Sequence, residues 1–288
     1  MPTLSRPGSK RDHSRQATLR RCGIVALLAS TLSLAGCASP VRRFMDRVHE
    51  AGLTPQIVRG TRFDHLIVRK PGRNDGALHV YIEGDGAPWR TLDAPASDPT
   101  PRQPIGFELM LRDPHSALYL GRPCYFGIAL RDCHPLIWTH ERYSEEVVES
   151  MARALMSALD FPSSTRLVLF GYSGGGTLAV LLTQRMSGVE SVVTVGANLD
   201  VRAWATLHGY SPLTGSLDPA QIPASGGNGP SVPEQHHVGS NDRSVPASNL
   251  REYARGRKGV TIVEWPGFDH SCCWQDVWAD VLAMLPRN

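Results

Sequence analysis

Residues 167–176 read Leu-Val-Leu-Phe-Gly-Tyr-Ser-Gly-Gly-Gly. The four leading apolar residues predict a buried strand, and the segment from Thr177 to Met186, rich in small residues, predicts a helix. Between them lies the pattern Gly-x-Ser-x-Gly, whose glycines permit a tight strand-to-helix turn that lifts Ser173 clear of the sheet. The stretch therefore predicts an exposed serine nucleophile. It does not predict a phosphate loop, because Thr177 stands where the Walker lysine would be.

The rest of the chain alternates strand and helix patterns. Apolar runs predict further strands at 79–83, 117–120, 192–195, 235–239 and 260–264, and a mixed apolar and charged segment predicts an edge hairpin over 57–69. Helical spacing predicts helices at 144–159, 246–255 and 274–285. Uniformly apolar strands that alternate with helices indicate an α/β fold, with a mainly parallel sheet covered by helices on both faces. We predict a single domain over residues 57–288.

A serine hydroxyl needs a base to take its proton, and the base needs an acid to orient it. Asp242 follows the predicted strand 235–239, and His270 follows the predicted strand 260–264. Each therefore lies just beyond the carboxyl end of a strand, at the same sheet edge as Ser173. This order predicts a Ser173, Asp242 and His270 set.

Other residues compete for two of these roles. Asp200 follows an earlier strand and is the alternative acid. His236 and His237 lie within a predicted strand and are weaker candidates for the base. Asp269, although adjacent to His270, is more typical of a turn-former.

With these residues in place, the segment from about 75 to 285 resembles the α/β-hydrolase fold. The resemblance implies that Ser173 is the nucleophile, Asp242 the acid and His270 the base. It also implies an oxyanion hole with two N–H donors, one of them the Gly174 amide.

The second oxyanion donor is expected in the loop after the strand 79–83, where this fold often carries His-Gly. Here the sequence reads Glu83-Gly-Asp-Gly86. By position we expect the Asp85 amide to be the donor, with Gly86 as the alternative. Glu83 in place of histidine is a departure from the family pattern.

These features indicate a serine hydrolase that acts on a small-molecule or lipid ester, as a carboxylesterase or lipase, through an acyl-enzyme. No cofactor or metal is implied. Two alternatives stay open at this point: a peptidase or thioesterase of the same fold, and a non-catalytic envelope lipoprotein that keeps the fold.

The N-terminal segment has the pattern of an export signal. Residues 1–21 are polar and basic, and a short apolar run over 23–35 follows, too short to span a bilayer comfortably. Leu34-Ala-Gly-Cys37 resembles the bacterial lipobox at every position. The resemblance implies removal of residues 1–36 and acylation of Cys37, followed by a basic tether over 37–56. Ala38 after the cysteine indicates the outer membrane, facing the periplasm.

Charge separates the leader from the body. Among 30 Lys+Arg and 27 Asp+Glu, six basic residues and one acid precede Cys37, which leaves the remainder at −2. The body therefore offers no electrostatic basis for binding nucleic acid.

The cysteines agree with export. Four remain after Cys37, and an even number in an oxidising compartment favours disulfides. We expect Cys124 to pair with Cys133, whereas adjacent Cys272 and Cys273 could pair or stay reduced. The absence of Cys-x-x-Cys and His-Glu-x-x-His motifs gives a zinc site little support.

Overall fold

The computed structural model describes residues 39–74, 76–128, 131–159, 165–223 and 232–285, together with Thr3. Residues 40–288 form one compact unit. The predicted leader over residues 1–36 and the lipobox Cys37 lie outside the described residues. In the described part of the chain, no helix combines the length and the apolarity needed to cross a bilayer.

Eight strands form one sheet in the order β1-β2-β4-β3-β5-β6-β7-β8. The β1/β2 and β2/β4 pairs are antiparallel and all other pairs are parallel. The strands are β1 Pro55–Arg59, β2 Asp64–Lys70, β3 Ala77–Ile82, β4 Ala117–Leu120, β5 Arg166–Tyr172, β6 Val189–Val195, β7 Glu234–Gly239 and β8 Val260–Trp265. The prediction of a mainly parallel sheet with an edge hairpin is confirmed.

Seven α-helices occur among the described residues. They are α1 Pro40–Glu50, α2 Ile105–Arg112, α3 Glu145–Ala158, α4 Gly174–Leu182, α5 Val201–Leu207, α6 Ala247–Ala254 and α7 Trp278–Ala283. The chain moves from β3 to β4 in one direction along the sheet and from β4 to β8 in the other. Right-handed crossovers therefore place α2 on one face and α3, α4 and α6 on the other. Consistent with this, α2 contacts α7, whereas α3 contacts α4.

The N-terminal boundary of the domain differs from the predicted one. Residues 40–56, which we assigned to a basic tether, contain α1 and the start of β1. Phe44 and Val48 are fully buried, four residues apart on one face of α1, and Phe44 packs on Phe107 with ring centroids 5.1 Å apart. Burial of these two side chains folds a segment whose arginines suggested a solvated linker.

Two other helix boundaries also differ. Helix α4 begins directly after Ser173 rather than at Thr177. The predicted C-terminal helix over 274–285 is limited to α7, and residues 274–277 form turns instead. Upstream of them, Asp269 accepts hydrogen bonds from the backbone amides of Ser271 and Cys272, both at 2.8 Å.

Candidate active site

The turn between β5 and α4 holds Ser173 in an unusual backbone conformation, with φ at 51° and ψ at −125°. An L-residue rarely adopts this region, and sharp nucleophile turns are one of the places where it occurs. The flanking glycines are required by space. A Cβ on Gly171 would collide with Gly176, and a Cβ on Gly175 would collide with the carbonyl of Ile82.

Three predicted site residues meet at the carboxyl ends of their strands. Nε2 of His270 lies 3.0 Å from Oγ of Ser173, and Nδ1 of His270 lies 2.8 Å from Oδ2 of Asp242. Ser173 follows β5, Asp242 follows β7 and His270 follows β8. The structure thus forms the hydroxyl, imidazole and carboxylate chain that nucleophilic catalysis by serine requires.

Asp242 is fixed by its own loop. Its side chain is fully buried, and Oδ1 accepts hydrogen bonds from the backbone amides of Ser244 and Val245, both at 2.8 Å. The carboxylate therefore presents its other oxygen to His270. This arrangement fits a group that holds the imidazole with Nδ1 protonated and Nε2 free to accept the serine proton.

The rival residues serve other contacts. Asp200 caps α5, because its Oδ1 accepts from the amide of Ala203 at 2.8 Å. Nδ1 of His236 is hydrogen-bonded to Thr194, and Nδ1 of His237 accepts from Nε1 of Trp265 at 2.9 Å. Asp269 forms the turn described above.

The loop after β3 passes beside the nucleophile. A Cβ on Gly84 would lie 3.2 Å from Cβ of Ser173, and a Cβ on Gly174 would collide with Oδ1 of Asp85. The structure thus brings together the residues whose amides we expect to form the oxyanion hole, Asp85 and Gly174. Gly86, the alternative donor, has φ at 64° and packs against the carbonyl of Pro99.

Three residues around Ser173, His270 and Asp242 were not predicted from the sequence. Gly196, after β6, leaves room for the acid and base, since a Cβ there would lie 3.0 Å from Nδ1 of His270. Tyr172 and Trp274 both donate to the His270 carbonyl, each at 3.1 Å. Of these residues, only Gly196 carried a sequence signal. It is a glycine at the carboxyl end of a buried strand, at the sheet edge where the site was already predicted.

The structure shows how the four cysteines after Cys37 are paired. Cys124 and Cys133 are joined in a disulfide, with Cα atoms 5.7 Å apart, as expected. Cys272 and Cys273, which the sequence left open, are joined to each other.

Among the described residues, His79, Asp113 and His115 form a group that could hold a metal ion. Each imidazole is hydrogen-bonded through Nδ1 to the Asp113 carboxylate, at 2.6 and 2.8 Å, and Tyr81 also donates to it. The carboxylate is satisfied by these bonds without an ion. His79 lies in the amino-terminal half of β3, whereas Ser173 lies beyond the carboxyl end of β5.

Comparison with solved structures decides the fold. A candidate lipase from Acinetobacter baumannii superposes with a TM-score of 0.58 at 13% identity, over 86% of this chain and 96% of the other. A membrane phospholipase A, described as a bacterial virulence factor, gives 0.55 at 14% identity, over 94% and 98%. Puromycin hydrolase gives 0.54 at 15% identity, over 80% of this chain and 38% of the other.

The chain has the α/β-hydrolase fold. Its structural neighbours are hydrolases of that fold, and at these identities the likeness extends to the fold alone. No family model and no curated sequence matches the chain.

Proposed function

We propose that this α/β-hydrolase fold is a serine hydrolase that cleaves carboxylic esters, as a carboxylesterase or lipase. The observation that carries the proposal is the hydrogen-bonded chain from Ser173 through His270 to Asp242. Each of the three residues is held by its surroundings, so the hydrogen-bonded set is already in a reactive geometry before substrate binds.

In the proposed reaction, Oγ of Ser173 attacks the ester carbonyl carbon while Nε2 of His270 accepts the hydroxyl proton. The amides of Gly174 and Asp85 stabilise the tetrahedral oxyanion. Collapse of this intermediate breaks the bond to the alcohol, which leaves with the proton from His270. Water then attacks the acyl-enzyme with His270 as base, which releases the acid and restores Ser173.

We also propose that the protein acts at a bacterial membrane surface, held by acyl chains on Cys37 at the periplasmic face of the outer membrane. Support comes from the match of Leu34–Cys37 to the lipobox. The disulfide between Cys124 and Cys133 is of the kind found in exported proteins. An acylated protein on a membrane would meet lipid esters as well as small diffusible ones.

The test combines labelling and turnover. We expect a fluorophosphonate probe to label wild-type protein but not Ser173→Ala, and Ser173→Ala and His270→Ala each to lower hydrolysis of p-nitrophenyl butyrate by about 10⁴-fold or more. Asp242→Asn should lower the rate of ester hydrolysis more than Asp200→Asn does. Asp200→Asn is the matched control, because Asp200 caps a helix.

To distinguish an esterase from a thioesterase or a peptidase, the rate of hydrolysis of the ester is compared with the rates for the butyryl thioester and the butyryl anilide. Full activity of Ser173→Ala, or a larger loss for Asp200→Asn than for Asp242→Asn in folded protein, would contradict the proposal.

A further inference from the structure

The side chain of Asp85 is bound by groups from separate segments. Arg122, two residues beyond β4, donates to Oδ1. Just before α3, Nη1 of Arg142 and the hydroxyl of Tyr143 donate to Oδ2 at 2.8 and 2.7 Å. Tyr125 donates to the Asp85 main-chain carbonyl at 2.9 Å. Both ends of the residue are therefore held in place.

The Asp85 cluster, comprising Asp85, Arg122, Arg142 and Tyr143, carries a surplus positive charge. Arg122 is 1% exposed and Arg142 is 5% exposed, and the cluster contains one carboxylate for two guanidinium groups. Burial alone would raise the pKa of Asp85, but Arg142 and Arg122 outweigh it and hold that pKa below its usual range. The carboxylate is therefore ionised and the cluster has a net charge of about +1.

Both cations have contacts besides Asp85: Arg122 donates to the Arg142 carbonyl and lies over the Tyr143 ring, and Arg142 donates to the Thr139 carbonyl. Burying a second cation costs desolvation free energy, which other contacts must offset. In Arg122, Nε is buried and has no hydrogen-bond partner among the described residues. The two guanidinium groups bind different oxygens of the single Asp85 carboxylate, which neutralises only one of the two positive charges. Departures of this kind from local satisfaction occur at functional sites.

The cluster touches the residue that follows the nucleophile. A Cβ on Gly174 would collide with Oδ1 of Asp85 and would lie 2.5 Å from the Tyr143 hydroxyl. The carboxylate and the phenol thus pack directly on Cα of Gly174. The Asp85 side chain and the Tyr143 hydroxyl therefore limit where the Gly174 backbone, next to Ser173, can lie.

We propose that Asp85, Arg122, Arg142 and Tyr143 are positioning residues for the oxyanion hole. The Asp85 carboxylate holds the Asp85 and Gly174 peptides in register, and the surplus positive charge of the cluster stabilises the tetrahedral oxyanion that these peptides bind. This inference rests on the proposed function and adds side chains to a hole otherwise built from backbone amides.

The test of positioning uses Asp85→Asn, which keeps the backbone amide and the size of the side chain and does not reduce the positive charge of the cluster, so a fall in kcat reports lost positioning; Arg142→Ala tests the charge. We expect kcat for p-nitrophenyl butyrate to fall 10²-fold or more while KM changes less than threefold. The inhibition constant of a butyl boronic acid, which binds serine as a tetrahedral adduct, should rise by the same factor as kcat/KM falls. A loss of structure alone would not produce this parallel.

Arg142→Ala gives a second route if Asp85→Asn does not fold. Its kcat should fall and then recover at least tenfold when millimolar guanidinium is added. Arg166→Ala is the matched control, since Arg166 forms an exposed ion pair with Glu190 at the start of β5, and its kcat should stay within twofold of wild type.

The outcomes separate the two proposals. Wild-type protein that takes up fluorophosphonate and hydrolyses ester, with Asp85→Asn equally active or altered only in KM, overturns the positioning role alone. A folded Arg142→Ala variant that guanidinium does not rescue also counts against it. Wild-type protein that neither labels nor turns over ester removes the proposed function, and this role with it.

Discussion

At the scale of single residues, Glu83 holds the loop after β3 in place. Its buried carboxylate accepts hydrogen bonds from the amides of Gly84 and Gly106, both at 3.1 Å, and of Phe107 at 3.2 Å. Gly106 and Phe107 lie in the first turn of α2, whose amides lack helical partners. Glu83 therefore connects the oxyanion loop to the start of a helix, a role for which its position after β3 was the only sequence signal.

The buried position of Glu83 makes stability depend on pH. Burial raises the pKa of Glu83 from 4.5 to about 7, although the backbone amides oppose the shift. The folded state therefore keeps a proton that the unfolded chain releases, and stability present below pH 4.5 is lost as pH rises through 7. A shift of this size corresponds to about 3 kcal/mol.

Urea unfolding of wild type and Glu83→Gln from pH 5 to pH 8 measures this effect, because the amide of glutamine does not ionise. We expect the free energy of unfolding of wild type to fall relative to that of the variant as pH increases. A difference between the two proteins that stays constant over this range would show that Glu83 does not titrate there.

At the scale of elements, the loop after β4 depends on its disulfide. Cys124, Phe126 and Asp132 all have positive φ, between 60° and 68°, and Phe126 is buried against Phe44 with ring centroids 4.5 Å apart. Left-handed conformations are unfavourable for Cys124 and Phe126, whereas aspartate tolerates them better. The link to Cys133 limits the alternatives that the unfolded loop can sample.

Replacing both Cys124 and Cys133 by serine should lower the free energy of unfolding by about 2–3 kcal/mol, the chain-entropy value for a loop of this length. Urea denaturation measures the change. The pair Cys272→Ser and Cys273→Ser is the control, because a link between adjacent residues closes no loop of chain and should contribute less entropy. An equal loss for both double variants would contradict a loop-closure origin.

Elements with strong periodicity were predictable, and those shaped by tertiary contacts were not. β4 and the 14-residue helix α3 match their predictions closely, since apolar runs and an N-capping serine define them locally. Helix α1 was missed because two buried side chains fold an otherwise charged segment. Helix α5 has only 7 residues and gives too little periodic signal.

The candidate site also has a part that could be predicted from the sequence and a part that could not. The serine turn and the later acid and histidine follow from strand order alone. Arg142 and Tyr143 could not be connected with Asp85 from sequence, because they lie 57 and 58 positions away and meet it only through the packing of loops.

At the scale of the whole molecule, almost no linker separates the proposed anchor from the folded unit. Only Ala38 and Ser39 lie between Cys37 and α1, where the sequence alone suggested a tether reaching residue 56. Helix α1, which begins three positions after the proposed lipid attachment point, contributes Phe44 and Val48 to the core.

Cys37→Ser in the full chain should abolish incorporation of radiolabelled palmitate and leave the protein unprocessed or in the soluble envelope fraction. Cys22→Ser, a substitution in the leader outside the lipobox, is the matched control and should stay in the membrane fraction. Palmitate incorporation that persists in Cys37→Ser would show that the anchor lies elsewhere.

The backbone of Ser173 has a consequence for how such a chain evolves. A residue with φ at 51° and ψ at −125° costs on the order of 1–3 kcal/mol unless it is glycine. Random substitution together with selection for stability alone would therefore replace this serine with glycine. In a protein kept only as a scaffold, Ser173→Gly would relieve this strain, so the serine would carry a cost in stability with no return.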